Sequence, residues 1–370
     1  MTETMMAAVL ERPGAPLRLE EVRMPEPKHG EVLVRVAGCG VCHTDLHVIK
    51  GEVAFPTPGV LGHEVSGTVA AWGPGVTGLT EGMNVVCSFI IPCGTCTHCV
   101  RGRDDLCLNF FSQNRLKGTL YDGTSRIFRP NGQPLAMYSM GGLAQYAVVP
   151  ANNVFALPAG LPLVNSSILG CAVFTAYGAV RHAADLRHGD TVAVYGSGGI
   201  GSNLIQVARA LGASQIIAVD IRDDQLAAAR ALGATDTINS RTEDVTARLL
   251  ELTSGRGVDV AFEARGLPET MVRASEAVTD GGKLVAVGIA DGRATAPIEI
   301  TRLVRRSIQI IGSYGARTRT DMPAVLQLAQ SGAITTSRVI TRRGPLEEAA
   351  QMYDDLDAGR IVGRAVIDQT

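Results

Sequence analysis

Long hydrophobic runs are missing. No stretch of about 18 uncharged apolar residues occurs in the 370-residue sequence, which excludes a membrane-spanning helix on composition alone. The opening residues Met1-Thr2-Glu3-Thr4 do not form a basic region followed by an apolar stretch and a cleavage site, so the cytoplasm is the expected location. A dominant charge is missing too. Lys and Arg number 34 against 36 Asp and Glu, a formal net charge of −2, which provides no basic patch for nucleic acid or an anionic membrane surface. Aromatic residues are scarce at 4%, so the core must be built from Ala, Val, Leu and Ile, as in parallel sheets covered by helices. With 46% hydrophobic and 19% charged residues, disorder is excluded.

What is present points to two domains, since single cores rarely extend beyond roughly 250–300 residues. The 42 glycines predict many tight turns and places where backbone approaches a ligand. As far as about Pro150 the pattern is of short β runs broken by Gly and Pro, such as Glu31–Ala37, Val65–Ala70 and Ala144–Val149. This predicts a largely antiparallel, irregular β domain. From Thr191 strands and helices alternate. Thr191–Tyr195 is a strand, Gly199–Leu211 a helix stopped by Gly212, Gln215–Asp220 a strand, and Asp223–Leu232 a helix stopped by Gly233. Val258–Glu263, Lys283–Gly288 and Ile308–Ser313 continue the strand series, which predicts an α/β parallel sheet covered on both faces. A helix over Ala324–Gln330 and a last strand near Gly363–Ile367 close the chain.

Eight cysteines in a reducing compartment should not pair, and five lie between Cys87 and Cys107. Cys93, Cys96, Cys99 and Cys107 fall within fifteen residues, a spacing that lets one short loop close a tetrahedral thiolate site around a structural zinc. Reduced buried thiols or an iron–sulfur cluster are the alternatives. A second set is dispersed: Cys42 to His47, His63-Glu64 and Cys171. Two thiolates and one imidazole make a recognised catalytic zinc set that leaves a position open, although each residue alone is more often simply packed.

Gly196-Ser197-Gly198-Gly199-Ile200-Gly201 follows a strand and opens a helix, the context in which this glycine spacing turns a helix N-terminus toward a pyrophosphate. Asp220 ends the next strand, where a carboxylate accepts ribose hydroxyls and repels a 2′-phosphate, which favours NAD over NADP. Arg222 is the competing signal, because a guanidinium there could take that phosphate.

These residues together resemble the zinc-dependent medium-chain alcohol dehydrogenases along nearly the whole chain. Gly62-His63-Glu64, with Gly67, Gly73 and Val76 at their spacing, is similar to that family's zinc signature, and the four-cysteine loop and glycine fingerprint follow in its order. The resemblance implies a GroES-like β-rich catalytic domain over 1–171, a Rossmann doubly wound coenzyme domain over 172–313, and a return to the catalytic domain over 314–370, with the active site in the cleft. It implies Cys42, His63 and Cys171 as ligands of a catalytic zinc, with Glu64 able to take the fourth place, and two zinc ions per chain. Thr44 resembles the hydroxyl that accepts the substrate proton and His47 the imidazole that passes it toward solvent. His43 and Arg364 resemble pyrophosphate contacts; Thr175 and the Val287–Ile289 backbone resemble the nicotinamide surroundings. Phe89, Val53, Met137 and Ile289 would line an apolar pocket. The expected activity is NAD-dependent oxidation of a hydrophobic primary alcohol. The alternatives are a thiol-dependent formaldehyde dehydrogenase, a polyol dehydrogenase, or a nucleotide-binding regulatory protein. The family assembles as dimers or tetramers, and the longer loop over Asn109–Gly142 favours a homodimer.

Overall fold

A computed structural model describes residues 3–290 and 292–370 of the chain. The chain divides into two compact units, one formed by Met1–Phe174, Arg317–Gln330 and Ile340–Thr370, the other by Thr175–Ala316 and Ser331–Val339.

The first unit is organised around the strand Glu31–Val41. Its Val32, Val34, Val36 and Val41 are buried, and β-branched side chains of this kind pack well on a pleated surface. This strand pairs antiparallel with Val65–Trp72, Tyr146–Pro150 and Arg364–Asp368 in a seven-stranded sheet. A five-stranded sheet runs in the order Arg18–Arg23, Thr4–Leu10, Gly59–Val60, Pro134–Met137 and Ile127–Phe128. Pairing in this unit is antiparallel except between Gly59–Val60 and Pro134–Met137 and between Ile340–Gly344 and Arg364–Asp368.

Two features of this unit set up a site. Val41 lies opposite Ala365, so Cys42 and Arg364 sit at adjoining strand ends, and the helix His43–Lys50 begins directly after Cys42. The chain then passes from Gly59–Val60 through Gly62, His63 and Glu64 into Val65–Trp72. Gly62 has φ +95°, and a Cβ on it would come within 2.6 Å of the Leu143 nitrogen. Only glycine allows the chain to present the following two side chains there.

The second unit holds a six-stranded, wholly parallel sheet in the order Asp236–Asn239, Gln215–Asp220, Thr191–Tyr195, Val258–Glu263, Val278–Ala286 and Gln309–Gly312. The helices Gly201–Ala210, Asp223–Leu232, Val245–Leu252 and Pro268–Ala277 connect its strands. Ala193, Ile217, Val219, Ile238, Ala261 and Leu284 form its buried core with no polar side chain among them. The strand order reverses at Thr191–Tyr195, the switch point at which doubly wound sheets bind ligands.

The tail divides between the units. Thr335 donates its N–H to Gln206 Oε1, a tie that keeps 331–339 with the second unit, while the flanking segments belong to the first. Its helix runs over Thr318–Gln330 and encloses Pro323, so it begins earlier than the expected Ala324. Among the described residues no helix is long and apolar enough to cross a membrane.

Candidate active site and metal centres

Cys42, His63, Glu64 and Cys171 converge in the first unit, all buried, with one ligand atom from each lying within 4.8 Å of the others. They come from three separate places: a strand end, two adjacent positions of one turn, and the residue after Val164–Gly170. The hydrogen bond from Cys171 holds the Cys42 thiol well below its usual range, while burial pushes Cys171 well above it. Burial opposes a charge on His63, but Asp45 and Cys42 outweigh it and push the imidazole up to about 10. A dry pocket that gathers two thiols, an imidazole and a carboxylate is one suited to a cation, whose charge these donors would offset.

Glu64 gives an independent indication. Burial raises its carboxyl, Arg364 counteracts this, and Arg364 Nη2 donates to Glu64 Oε1. Its Oε2 is buried without a hydrogen-bond partner, and a Cβ on Gly40 would come within 1.9 Å of it. Buried carboxylate oxygens are rarely left unpartnered, and a carboxylate grouped with two thiols and an imidazole fits a divalent metal.

The orientation of His63 is determined by residues that the sequence pattern does not single out. Asp45 Oδ1 accepts from His63 Nδ1 at 3.0 Å and from the Gly62 N–H at 3.2 Å, and Tyr353 donates to Asp45 Oδ2 at 3.0 Å. With Nδ1–H engaged, Nε2 is the nitrogen available to a metal. Thr44 Oγ1 lies 3.6 Å from Cys42 Sγ and is half-buried. His47, on the same helix, meets Glu52 Oε2 through Nδ1. His43 is exposed on that helix, and Arg364 is 3% exposed and committed to Glu64.

Few as they are, aromatic rings gather about His63. Phe89 and Tyr138 each stand 5.9 Å from its ring, Phe174 lies 6.1 Å from Phe89, and Phe55 lies 5.0 Å from Tyr138. Val53 is half-buried, while Met137 is fully buried and its sulfur accepts from the Arg126 N–H.

The second cluster, Cys93, Cys96, Cys99 and Cys107, likewise brings four ligand atoms within 4.8 Å. Backbone N–H groups of Cys93, Cys96, Cys99 and Phe110 point at the sulfurs of Cys107, Cys93, Cys96 and Cys107, an arrangement that stabilises thiolates. Burial opposes ionisation of Cys93, but the N–H groups of Thr95 and Cys96 prevail and bring it down to about 6. Arg319 braces the lobe. It donates from Nη2 to the Cys99 carbonyl at 2.5 Å and to buried Asp104 at 2.7 Å.

In the second unit the turn Gly196–Gly201 links Thr191–Tyr195 to the helix Gly201–Ala210. A Cβ on Gly201 would lie 1.8 Å from the Gly196 carbonyl, whereas nothing lies within 4 Å of one on Gly198. The first glycine is thus demanded by packing and the second leaves an open face. Asp220 Oδ2 accepts from the Ser197 N–H at 2.7 Å and its Oδ1 from Ile221 N–H at 2.8 Å. A cleft of ≈ 350 Å³ lined by Tyr195, Gly196, Asp220, Ser240, Arg265 and Thr270 opens beside it. Arg222 is engaged elsewhere, with Nε donating to Asp224 Oδ1 at 2.9 Å. Thr175 is buried at the start of this unit, the Val287 N–H donates to the Glu263 carbonyl at 2.8 Å, and Ile289 is half exposed. Buried Glu263 escapes sequence reasoning. Its carboxylate accepts from the Arg265 and Gly266 N–H groups and from Thr270 Oγ1, and so closes the loop beside the cleft.

Comparison with known proteins agrees with this geometry. The alcohol dehydrogenase GroES-like domain model matches residues 28–159, and the zinc-binding dehydrogenase model matches residues 199–331. An NDMA-dependent alcohol dehydrogenase of Amycolatopsis methanolica is 35% identical over 366 residues, covering 98% of both chains. The chain belongs to the zinc-dependent medium-chain alcohol dehydrogenase family. An S-(hydroxymethyl)glutathione dehydrogenase of Photobacterium damsela subsp. piscicida is also 35% identical, over 369 residues and 98% of both chains. The crystal structure of benzyl alcohol dehydrogenase from Acinetobacter calcoaceticus superposes with a TM-score of 0.93 at 32% identity and full coverage of both chains. As a member of this family the chain is a zinc-containing enzyme, an NAD-linked alcohol oxidoreductase with a GroES-like domain and a Rossmann domain.

Proposed function

We propose that this alcohol dehydrogenase oxidises a hydrophobic primary alcohol to its aldehyde, with NAD taking the hydride and two zinc ions per chain. The observation that carries the catalytic assignment is the buried group Cys42, His63, Cys171 and Glu64 with its unpartnered Glu64 Oε2. These residues would hold one zinc, and Cys93, Cys96, Cys99 and Cys107 the other. When bound, the first zinc acts as a Lewis acid that acidifies an alcohol hydroxyl, and NAD supplies the hydride acceptor.

The protein's own residues do the rest. Asp45 holds His63 in the tautomer that presents Nε2. Arg364 donates to Glu64 Oε1 and favours the charged carboxylate against the effect of burial. Thr44 Oγ1 both accepts and donates, which suits it to receive the substrate proton, and half-buried His47 passes that proton to water. Phe89 and Tyr138 beside His63 make the surroundings apolar, which favours an aromatic or long-chain alcohol over a polyol. Coenzyme choice rests on Asp220 at the strand end, with Arg222 held off by Asp224.

A second reading has a specific support, since the S-(hydroxymethyl)glutathione dehydrogenase relative is as similar as the alcohol dehydrogenase one. Alcohols and aldehydes presented with NAD or NADP, with and without a low-molecular-weight thiol, separate the two. Turnover of benzyl-type alcohols without thiol supports the first reading, and formaldehyde oxidation only with thiol supports the second.

We also propose a cytoplasmic homodimer. Unpaired thiol ligands need a reducing compartment. Strand Gln309–Gly312 is the sheet's outer strand, and Ile300 (75%) and Val304 (70%) near it are strongly exposed, an apolar edge that a second copy would cover. Light scattering that gives the mass of one chain would overturn this.

A further inference from the structure

The helix His43–Lys50 ends at Gly51, whose φ of 78° turns the chain back on itself. Glu52 and Val53 then donate their N–H groups to the His47 carbonyl at 2.9 and 3.2 Å. This turn brings the Glu52 carboxylate back over the last turn of the helix, where Oε2 meets His47 Nδ1. We propose that Glu52 is a positioning residue for His47, holding Nδ1–H so that Nε2 is the nitrogen left to take the substrate-derived proton.

The chemistry follows from what each group can do. An ionised carboxylate only accepts, and a neutral imidazole has one donor and one acceptor nitrogen. The Nδ1 contact with Glu52 therefore selects the tautomer with a free Nε2 lone pair. When a proton binds at Nε2, the imidazolium charge is balanced by Glu52, and loss of that Nε2 proton to water restores the starting tautomer. The side chains suit such an exit, being 23% exposed at His47 and 35% at Glu52. His47 holds the Glu52 carboxyl below its usual range, with Lys50 adding to the effect.

The other charges facing this pair are few. Lys50 Nζ lies 3.3 Å from Glu52 Oε1 and 3.1 Å from Asp357 Oδ1, on the helix Ala349–Asp357 packed alongside. Asp45, on the same helix as His47, turns inward to His63 and Tyr353. Glu52 is thus the anion in direct contact with the imidazole, and Lys50 fixes its second oxygen.

The inference rests on the proposed role of His47, so the test uses three variants and two readouts on zinc-loaded protein. NMR of the ring nitrogens reads the His47 tautomer, the ring being identified among seven histidines by its loss in His47→Gln. Glu52→Ala should lose the preference for the Nδ1–H form, while Glu52→Gln, whose amide oxygen still accepts, should keep it. Zinc content and melting temperature should be unchanged in both. Glu52→Ala should slow oxidation at all pH values, because Gln can still accept Nδ1–H and Ala cannot. An unchanged tautomer in Glu52→Ala overturns the assignment of Glu52 while leaving His47 in place. If His47→Gln keeps the wild-type rate and pH profile, the proton route itself fails, and Glu52 has no part in turnover.

Discussion

At the residue scale, the proposed metal site depends on side chains outside its ligand set. Asp45 is wholly buried and shared between His63, Gly62 and Tyr353, so it fixes both the tautomer and the tilt of a ligand. Replacing such an outer partner typically weakens metal binding about 10–100-fold. Asp45→Asn should therefore release one zinc to a competing chelator about 10–100-fold more readily while the four-cysteine zinc stays; equal retention of both would contradict the role given to Asp45. Coenzyme preference is also a residue-scale property. Asp220→Ala removes a charge and hydrogen-bond acceptor, and should raise NADP use relative to NAD by about tenfold or more, about 1.4 kcal/mol. Asp224→Ala, which removes the carboxylate that Arg222 Nε donates to, should add to that shift. Steady-state kinetics with both coenzymes check the pair, and a wild-type preference for NADP would show that Arg222 dominates.

At the element scale, the four-cysteine lobe is held by its own backbone N–H groups and by the helix Thr318–Gln330 through Arg319. Asp104 is 1% exposed, so Arg319→Ala leaves a buried carboxylate without its main partner, at a cost of about 1–3 kcal/mol after allowing for the partly exposed guanidinium. The melting temperature should fall while alcohol oxidation per folded enzyme is kept. In chelator-treated protein Cys93 should be the first thiol alkylated. Its thiolate population grows as pH rises through about 6, so its rate should be half-maximal near that pH and suppressed by added zinc. Mass mapping of the labelled cysteine is the check, and first labelling at Cys99, whose thiol burial pushes up, would contradict it.

What could be seen in the sequence depended on how local each element is. The four-cysteine loop and the Gly196–Gly201 turn are written in consecutive residues, so spacing alone revealed them. Cys42, His63 and Cys171 lie far apart because each sits at the end of a different element, and only resemblance to a family joined them. Tyr353 and Asp45 stand 308 residues apart, and Arg319 and Asp104 stand 215 apart, with no periodic signal to link them. Strands such as Gly59–Val60 are too short to show alternation, and Pro323 inside a helix hid its first turns.

At the scale of the whole molecule, each unit brings one half of the chemistry. The first carries both candidate metal centres together with Thr44 and His47, and the second carries the glycine turn and Asp220. The central claim is that the buried cluster in the first unit is the catalytic zinc centre. The most direct test is the rate of NAD reduction with a hydrophobic primary alcohol by Cys171→Ser, on folded protein whose zinc content is measured on the same sample. Two zinc ions and turnover are expected in the wild type, and one zinc with turnover reduced to a trace in the variant. A variant that keeps both zinc ions and the wild-type rate would contradict it.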